Sequence, residues 1–282
     1  MESQLEAQTM FTPEQIGEIE QLKEEIMKGE CVLSYSSFKA FAQSPSHFIR
    51  HKIRIKKETP AMKKGKLIHC AVLEPEELEK RYLIMDEKEM PFPDSTMSKK
   101  ENKAWKESME AKAKEEGKTI VYPSEWENAL RHRDLAYSNQ VVASYLNGLR
   151  RREWHTTWEF GGFKWHGVID GLGSNYELDV KSVADASPDK MKWQLYGEKY
   201  HWQHFLYRQS PAVAGYFDAF NLLVDGEYGI SLLKIQDHQI QKAEAEIKQT
   251  LEKFKLCAEN DMWEMNYEFW ANNPNKGYFT ID

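Results

Sequence analysis

Asp179 and Lys181 stand two residues apart in Tyr176-Glu177-Leu178-Asp179-Val180-Lys181. On a β-strand, residues at i and i+2 leave the same face. Asp170 closes the preceding segment, Gly167-Val168-Ile169-Asp170-Gly171, and a short hairpin brings it close to Asp179. Two carboxylates on one face make a hard-oxygen site suited to Mg²⁺ or Mn²⁺. A lysine beside them can position a metal-bound water or help to deprotonate it. Metal-assisted hydrolysis of a phosphodiester needs those parts. Taken alone, Asp-x-Lys also suits an exposed cross-strand pair, with Asp170 a turn residue. Three further features point toward chemistry. Gly65 and His69 share one helix face at i, i+4, where an imidazole can join a metal site. Gln203 and Tyr207 repeat that spacing on a later helix. Glu159 lies in an aromatic strand just ahead of the Asp170 strand, with Glu153 and Glu177 as alternatives for the same role.

The elements that must position these residues are readable in outline. Thr12-Pro13-Glu14-Gln15 starts a helix that Gly29 stops, predicting 12–29. A short helix opens at 33–37, and another spans Ala61 to Leu73 before Pro75. Residues 123–148 read as one long helix. The period then changes: 154–160, 163–170 and 176–182 are aromatic and β-branched, separated by Gly161-Gly162 and by 171–175. These are three strands joined by hairpin-like turns. Helices at 187–198 and 201–219, strands at 220–224 and 228–235, and a helix at 239–257 complete a single α/β domain over 1–282. Within it, 1–32 is a helical N-terminal extension, 86–118 a Lys/Glu-rich solvated insertion, and 154–235 carries the site-bearing sheet and helices.

Composition removes other classes. The chain has 282 residues, with 38 Lys and Arg against 45 Asp and Glu, giving a net charge of −7. That balance argues against coating nucleic acid by bulk charge, while leaving room for a local basic site. The aromatic content of 12% argues against a disordered chain. No apolar run approaches the roughly 18 residues of a membrane span. The acidic start, MESQLEAQ, lacks the features of a secretory signal, and Cys31, Cys70 and Cys257 form no metal-binding pair. The expected setting is a reducing cytoplasm and the expected membrane role is none.

The order GxxxH (Gly65–His69), E, GxxD (Gly167–Asp170), DxK (Asp179–Lys181) and QxxxY (Gln203–Tyr207) resembles the PD-(D/E)XK nuclease superfamily. Its exonuclease branch, above all the RecE (exonuclease VIII)-like phage recombination exonucleases, is the closest likeness. The stretches Leu33 to Lys39, Ser44 to Phe48 and Met62 to Leu73 also resemble that branch, so the likeness covers roughly 33–235. Ile169 stands where the superfamily name has Pro. The resemblance implies a restriction-endonuclease-like α/β core, a central mixed sheet flanked by helices. It implies metal ligation by His69, Asp170, Asp179 and the backbone carbonyl of Val180, with two Mg²⁺ or Mn²⁺ per site. Lys181 would act on the attacking water. Gln203 and Tyr207 would support the site or contact DNA, and Glu159 would be an auxiliary acid. It further implies 5′ to 3′ digestion of double-stranded DNA ends, 3′ overhangs handed to a RecT-like single-strand annealing protein, and a trimeric or tetrameric ring. Such proteins are phage or prophage encoded and work in the bacterial host cytoplasm. Iron–sulfur relatives need four cysteines, which this chain lacks.

Basic residues gather in two places. Arg50, Lys52, Arg54, Lys56, Lys57, Lys63, Lys64 and Lys66 run into the His69 helix, and Arg150, Arg151 and Arg152 precede the first long strand. Adjacency to the expected metal site makes Arg50, Arg54, Lys63, Lys64, Lys66, Arg151 and Arg152 candidates for phosphate binding. Trp193, Tyr200 and Trp202 suit base stacking, or equally the core or a subunit contact. Two rival functions share the motif set: an endonuclease of restriction or defence, and a non-catalytic module that binds DNA ends.

Overall fold

The computed structural model of the chain describes residues 11–53, 59–93, 100–213 and 218–270. Its helices begin at the residues that chemistry favours. Thr12 and Gln15 form a reciprocal capping box on α1 (Pro13–Met27), and Ser34 and Ser37 form another on α2 (Tyr35–Phe41). Ser44 caps α3 (Pro45–Lys52), and Thr59 caps α4 (Pro60–Leu73), which carries His69. Each of α1, α3 and α4 has proline in its first turn, where a missing N–H costs no helical bond. Between α1 and α2 the chain makes a two-residue strand, β1 (Val32–Leu33).

A short helix, α5 (Leu78–Arg81), leads into β2 (Tyr82–Ile84), which pairs in parallel with β3 (Thr119–Val121). These two strands bracket the charged insertion, whose helix α6 (Lys100–Glu115) buries only Asn102 and Ala113. The expected long helix at 123–148 is two helices, α7 (Pro123–Ser138) and α8 (Gln140–Asn147). Asn139 leaves helical geometry, and its side chain accepts from the N–H groups of Val141 and Val142. An Asn at that position competes with the helical ladder and restarts the helix as a cap.

The central sheet has six strands: β4 (Arg151–Phe160), β5 (Phe163–Leu172), β6 (Tyr176–Val183), β7 (Asp218–Asp225), β8 (Ile230–Ile235) and β1. β4 pairs antiparallel with β5 from Arg151 to Phe160, with a break at Glu153. The opposite edge of β5 is shared by β1, parallel at Lys164 and Trp165, and by β6, antiparallel at Gly171 and Leu172. β6 and β7 are parallel and β8 closes the sheet antiparallel, so the sheet is mixed, as the resemblance implies.

α9 (Pro188–Gly197) and α10 (Tyr200–Arg208) follow β6. α10 is shorter than the expected 201–219 because Pro211 has no N–H to continue it; a single 3-10 turn occupies Pro211–Val213. α11 (Asp237–Glu259) comes last.

The period-2 pattern of the strands builds two cores. Tyr176, Leu178 and Val180 of β6, with Phe220, Leu222 and Val224 of β7, pack against α4, α7 and α8. On the other face, Trp158, Trp165 and Ile169 of the β4–β5 hairpin pack with Phe38, Phe41, Phe48, Trp202 and Phe254 from α2, α3, α10 and α11. Between those layers the odd residues of β6 (Glu177, Asp179 and Lys181) turn toward α10. No helix among the described residues is long and apolar enough to cross a membrane.

Candidate active site

The site lies where β5 and β6 part. Their ladder runs through only two pairs, Gly171 with Leu178 and Leu172 with Glu177. Continuing that register would set Asp170 opposite Asp179 and Ile169 opposite Val180. The strands splay there instead, and side chains take over the freed backbone groups. The Val180 N–H donates to Asp170 Oδ2 at 2.7 Å, and the Val168 carbonyl accepts from the Tyr207 hydroxyl at 2.7 Å. Gly167 makes room for that tyrosine: a Cβ there would sit 2.7 Å from Tyr207 Cε1. The glycine of the Gly167–Asp170 motif therefore serves Tyr207 of the last motif.

Two clusters meet at the fork. On the α4 side, His69 Nε2 is 2.8 Å from Asp170 Oδ2, and His69 Nδ1 is 3.3 Å from Glu153 Oε1. Ligand atoms of His69, Glu153 and Asp170 lie within 4.8 Å of one another. On the α10 side, Lys181 Nζ is 2.7 Å from Asp179 Oδ2 and donates to Gln203 Oε1 at 2.9 Å. Gln203 Nε2 donates to Asp179 Oδ1 at 2.6 Å and lies 3.0 Å from the Tyr207 hydroxyl. The ring of Tyr200 faces the Lys181 ammonium at 5.4 Å and that of Tyr35 at 6.0 Å. Beside Gln203 in sequence, His204 is fully buried and bridges Glu177 and Asn221 at 3.0 Å each, pinning α10 to β6 and β7.

A cavity of about 430 Å³ opens onto this fork, lined among others by Gly65, Lys66, His69, Arg81, Glu153 and Lys181. α4 runs beside β6 at Gly65, where a Cβ would make an ordinary van der Waals contact with Ser182 Cβ at 3.8 Å, so the space there does not demand glycine.

The charges perturb one another strongly. Burial alone would push His69 down, but the Asp170 carboxylate, its hydrogen bond and Glu153 raise it to about 9. Burial would raise Asp170, yet His69, Lys181 and the Val180 N–H hold it below the ordinary carboxylate value. Asp179 moves the other way: burial and the Asp170 charge outweigh Lys181 and raise it. Glu153 is also raised, chiefly by burial, against the pull of His69. Burial would lower Lys181, but Asp179 and Asp170 overcome it and raise it further. These are the marks of a carboxylate cluster holding more negative charge than its own cations neutralise.

The donor set fits a hard divalent cation. Two carboxylates and one imidazole, Glu153, Asp170 and His69, converge, and the Asp179 carboxylate stands on the other side of the fork; Glu153 Oε1 and Asp179 Oδ2 are buried oxygens engaged by the ion pairs with His69 and Lys181. His69, Glu153, Asp170 and Asp179 are the residues that would hold it.

The fork thus brings together His69, Asp170, Asp179, Lys181, Gln203 and Tyr207, with Val180 lining the cavity. Glu159 is not among them. It pairs with Lys164 near the far end of the β4–β5 hairpin, and Glu153 stands at the site instead. Glu153 adopts φ 48°, a left-handed conformation that costs a non-glycine residue about 1–2 kcal/mol.

The basic candidates divide. Lys66 lines the cavity; Lys63 is exposed on the same helix, while Lys64 and, on α3, Arg50 are half-buried. Arg151 stacks over the Trp154 ring at 4.0 Å, and Arg152 donates to the Leu146 carbonyl at the end of α8. Arg54, with Lys56 and Lys57, lies outside the described residues. Tyr200 and Trp202 belong to the core, whereas Trp193 is 78% exposed.

A mixed sheet forked at an Asp, with Asp-x-Lys on the partner strand and flanking helices supplying His and Gln, defines the PD-(D/E)XK nuclease fold. The chain belongs to that superfamily: residues 34–268 match the family model described as a PDDEXK-like domain of unknown function (DUF3799). It also shares its fold with a crystal structure from Eubacterium rectale described as a candidate exonuclease. The TM-score is 0.58 and the identity 15%, over 96% of this chain and 95% of that one. No curated protein sequence matches this chain.

Proposed function

We propose that the protein is a divalent-metal-dependent deoxyribonuclease that hydrolyses double-stranded DNA from its ends. The observation that carries the reading is the meeting of the His69–Glu153–Asp170 cluster with the Asp179–Lys181–Gln203 chain at one fork. A bound divalent ion would supply Lewis acidity to the phosphodiester oxygens and a more acidic water. The chain's own residues do the rest. Asp170 is held in place by the Val180 N–H and oriented by His69. Lys181 stays protonated in the metal-free protein, so it acts as a hydrogen-bond donor aimed by Asp179 and Gln203. Gln203 and Tyr207 fix the fork's open edge.

The finer reading rests on likeness to RecE-type exonucleases. It comprises Mg²⁺ or Mn²⁺ with two ions per site, 5′ to 3′ polarity, 3′ overhangs for a RecT-like annealing protein, and a homo-oligomeric ring in the cytoplasm of a phage-carrying host. Arg50, Arg54, Lys63, Lys64, Lys66, Arg151 and Arg152 are its phosphate-binding candidates. The test is digestion of a linear duplex labelled at either 5′ or 3′ ends, with Mg²⁺, Mn²⁺ or chelator, beside a closed circular plasmid. Metal-dependent release of nucleotides from linear ends with the circle intact supports the reading. Cleavage of the circle replaces it with an endonuclease, and inactivity on every substrate refutes it.

A further inference from the structure

The face of the β4–β5 hairpin that carries Glu153 and Asp170 continues beyond them. In the observed register the succeeding cross-strand pairs are His155 with Val168, Thr157 with His166, and Glu159 with Lys164. His155, Thr157, Glu159 and Lys164 are exposed and His166 and Val168 half-buried, so this polar stripe is open to solvent where it leaves the fork. Its opposite face is the aromatic core, where Trp158, Trp165 and Ile169 are buried. Whatever lies over the fork and follows β5 outward must cross the two histidines.

His155 Nδ1 and His166 Nε2 are 3.4 Å apart, diagonal to each other across the ladder. That shared contact engages one nitrogen of each ring. The others, His155 Nε2 and His166 Nδ1, have no hydrogen-bond partner among the described residues. With both rings neutral, either direction of the shared bond leaves one N–H free: at His166 Nδ1 if His155 donates, at His155 Nε2 if His166 donates. The pair therefore presents a donor whichever tautomers are adopted. One two-residue step along a strand advances about 6.6 Å, so His155 stands one such step from Glu153, within a nucleotide's reach; His166 lies two steps from Asp170 and meets His155 diagonally across the ladder. The next pair out, Glu159 with Lys164, is opposite in charge and sums to zero, which leaves the histidines as the stripe's first net donor.

We propose that His155 and His166 form a substrate-positioning pair that hydrogen-bonds the nucleic-acid phosphate next to the scissile one. The proposal rests on the nuclease reading above and adds to it the part of the substrate this surface holds.

The test uses the full chain and a linear duplex in which single phosphates of the digested strand are replaced, one at a time, by neutral methylphosphonates. His155→Ala with His166→Ala raises KM about tenfold, as expected for a lost bond to a charged group, and leaves kcat within about twofold. Replacing His155→Gln and His166→Asn, which keep an amide N–H near the free ring nitrogens, recovers most of the loss. In the wild type the neutral linkage adjacent to the cleaved bond raises KM; in the double alanine variant the same linkage adds nothing further. An unchanged KM, a collapse of kcat or thermal midpoint, or a linkage penalty that persists in the alanine variant overturns the proposal. If the wild type cleaves no DNA, the nuclease reading fails. The same linkage series, followed by fluorescence anisotropy of labelled duplex, then judges the histidines alone.

Discussion

The Asp170 carboxylate accepts the backbone N–H of Val180 at 2.7 Å, where the β5–β6 ladder would otherwise supply a carbonyl. One side chain thus holds the fork open and faces His69. The consequence separates architecture from catalysis. Asp170→Asn keeps an acceptor for the Val180 N–H, whereas Asp170→Ala leaves that N–H without one. Both variants lose metal-dependent hydrolysis by at least about 10³-fold if Asp170 is a ligand. In metal-free protein the Asn variant is more stable than the Ala variant by about 1–3 kcal/mol, the cost of an unsatisfied buried donor. Urea unfolding in chelator measures the difference, and equal midpoints would remove Asp170 from the fork's support.

His69 gives a pH signature. Its value of about 9 in the folded chain lies above the 6.5 of a free imidazole. Stability from the charged form is fully present below about pH 6.5 and is lost as pH rises through about 9. Metal-free wild type should therefore lose thermal stability across that window relative to His69→Gln, which should be flat there. Metal ligation needs the neutral ring, so Mn²⁺ affinity should climb with pH up to about 9 and then level off. Calorimetry in buffers of different ionisation heats reads the released proton directly. An affinity independent of pH over this range would exclude His69 as a ligand.

Lys181 and Gln203 should behave as a unit. Gln203 grips both Asp179 and Lys181, so Gln203→Ala leaves the ammonium aimed by Asp179 alone. The expected loss is about 10–100-fold in kcat with KM little changed, as for other groups that orient a ligand. Lys181→Ala should cost about 10²–10⁴-fold. The double variant should be no slower than Lys181→Ala by more than a small factor. Full multiplication of the two losses would show that Gln203 acts elsewhere.

Much of this architecture was legible in residue patterns. The helix starts read at Thr12, at 33–37 and at Ala61, each within two residues of those observed, the three aromatic strands and the shared faces of Asp179 with Lys181 and Gln203 with Tyr207 follow from local rules of capping and periodicity. What escaped depended on tertiary context or on a local competition. Asn139 broke one helix into two because its side chain could cap a new start. The two-residue β1 is too short to carry a pattern, and it exists because β5 offers an edge.

Glu159 and Glu153 separate for a different reason: proximity to an aromatic run points to Glu159, while the register brings Glu153 beside His69 and Asp170. Gly161 and Gly162, at φ 64° and 85°, form a two-residue turn of the type that fixes hairpin pairing. Counting outward from Phe160 and Phe163 sets Glu159 against Lys164 and brings Glu153, between the Arg152–Gly171 and Trp154–Ile169 pairs, level with Asp170. The fork itself, with a carboxylate and a tyrosine hydroxyl replacing ladder bonds, leaves no trace in spacing.

That register makes the two glutamates a controlled comparison. Glu159→Ala, on an exposed position of the hairpin, should leave metal affinity and turnover within about twofold of wild type. Glu153→Ala should weaken metal binding about 10–100-fold, because it removes one of three clustered ligands. Glu153→Gly should lose the same affinity while relieving the strain of φ 48° and one of the crowded carboxylates. Glycine adopts that conformation freely, so the variant should be as stable as wild type or more so, by up to about 1 kcal/mol. A left-handed residue retained in mid-strand at the expense of stability is what a ligand held in position requires. Unfolding free energies without metal, set beside Mn²⁺ titrations, decide the matter. If Glu153→Gly is markedly less stable than Glu153→Ala, the backbone at 153 is not strained and Glu153 is ordinary scaffold.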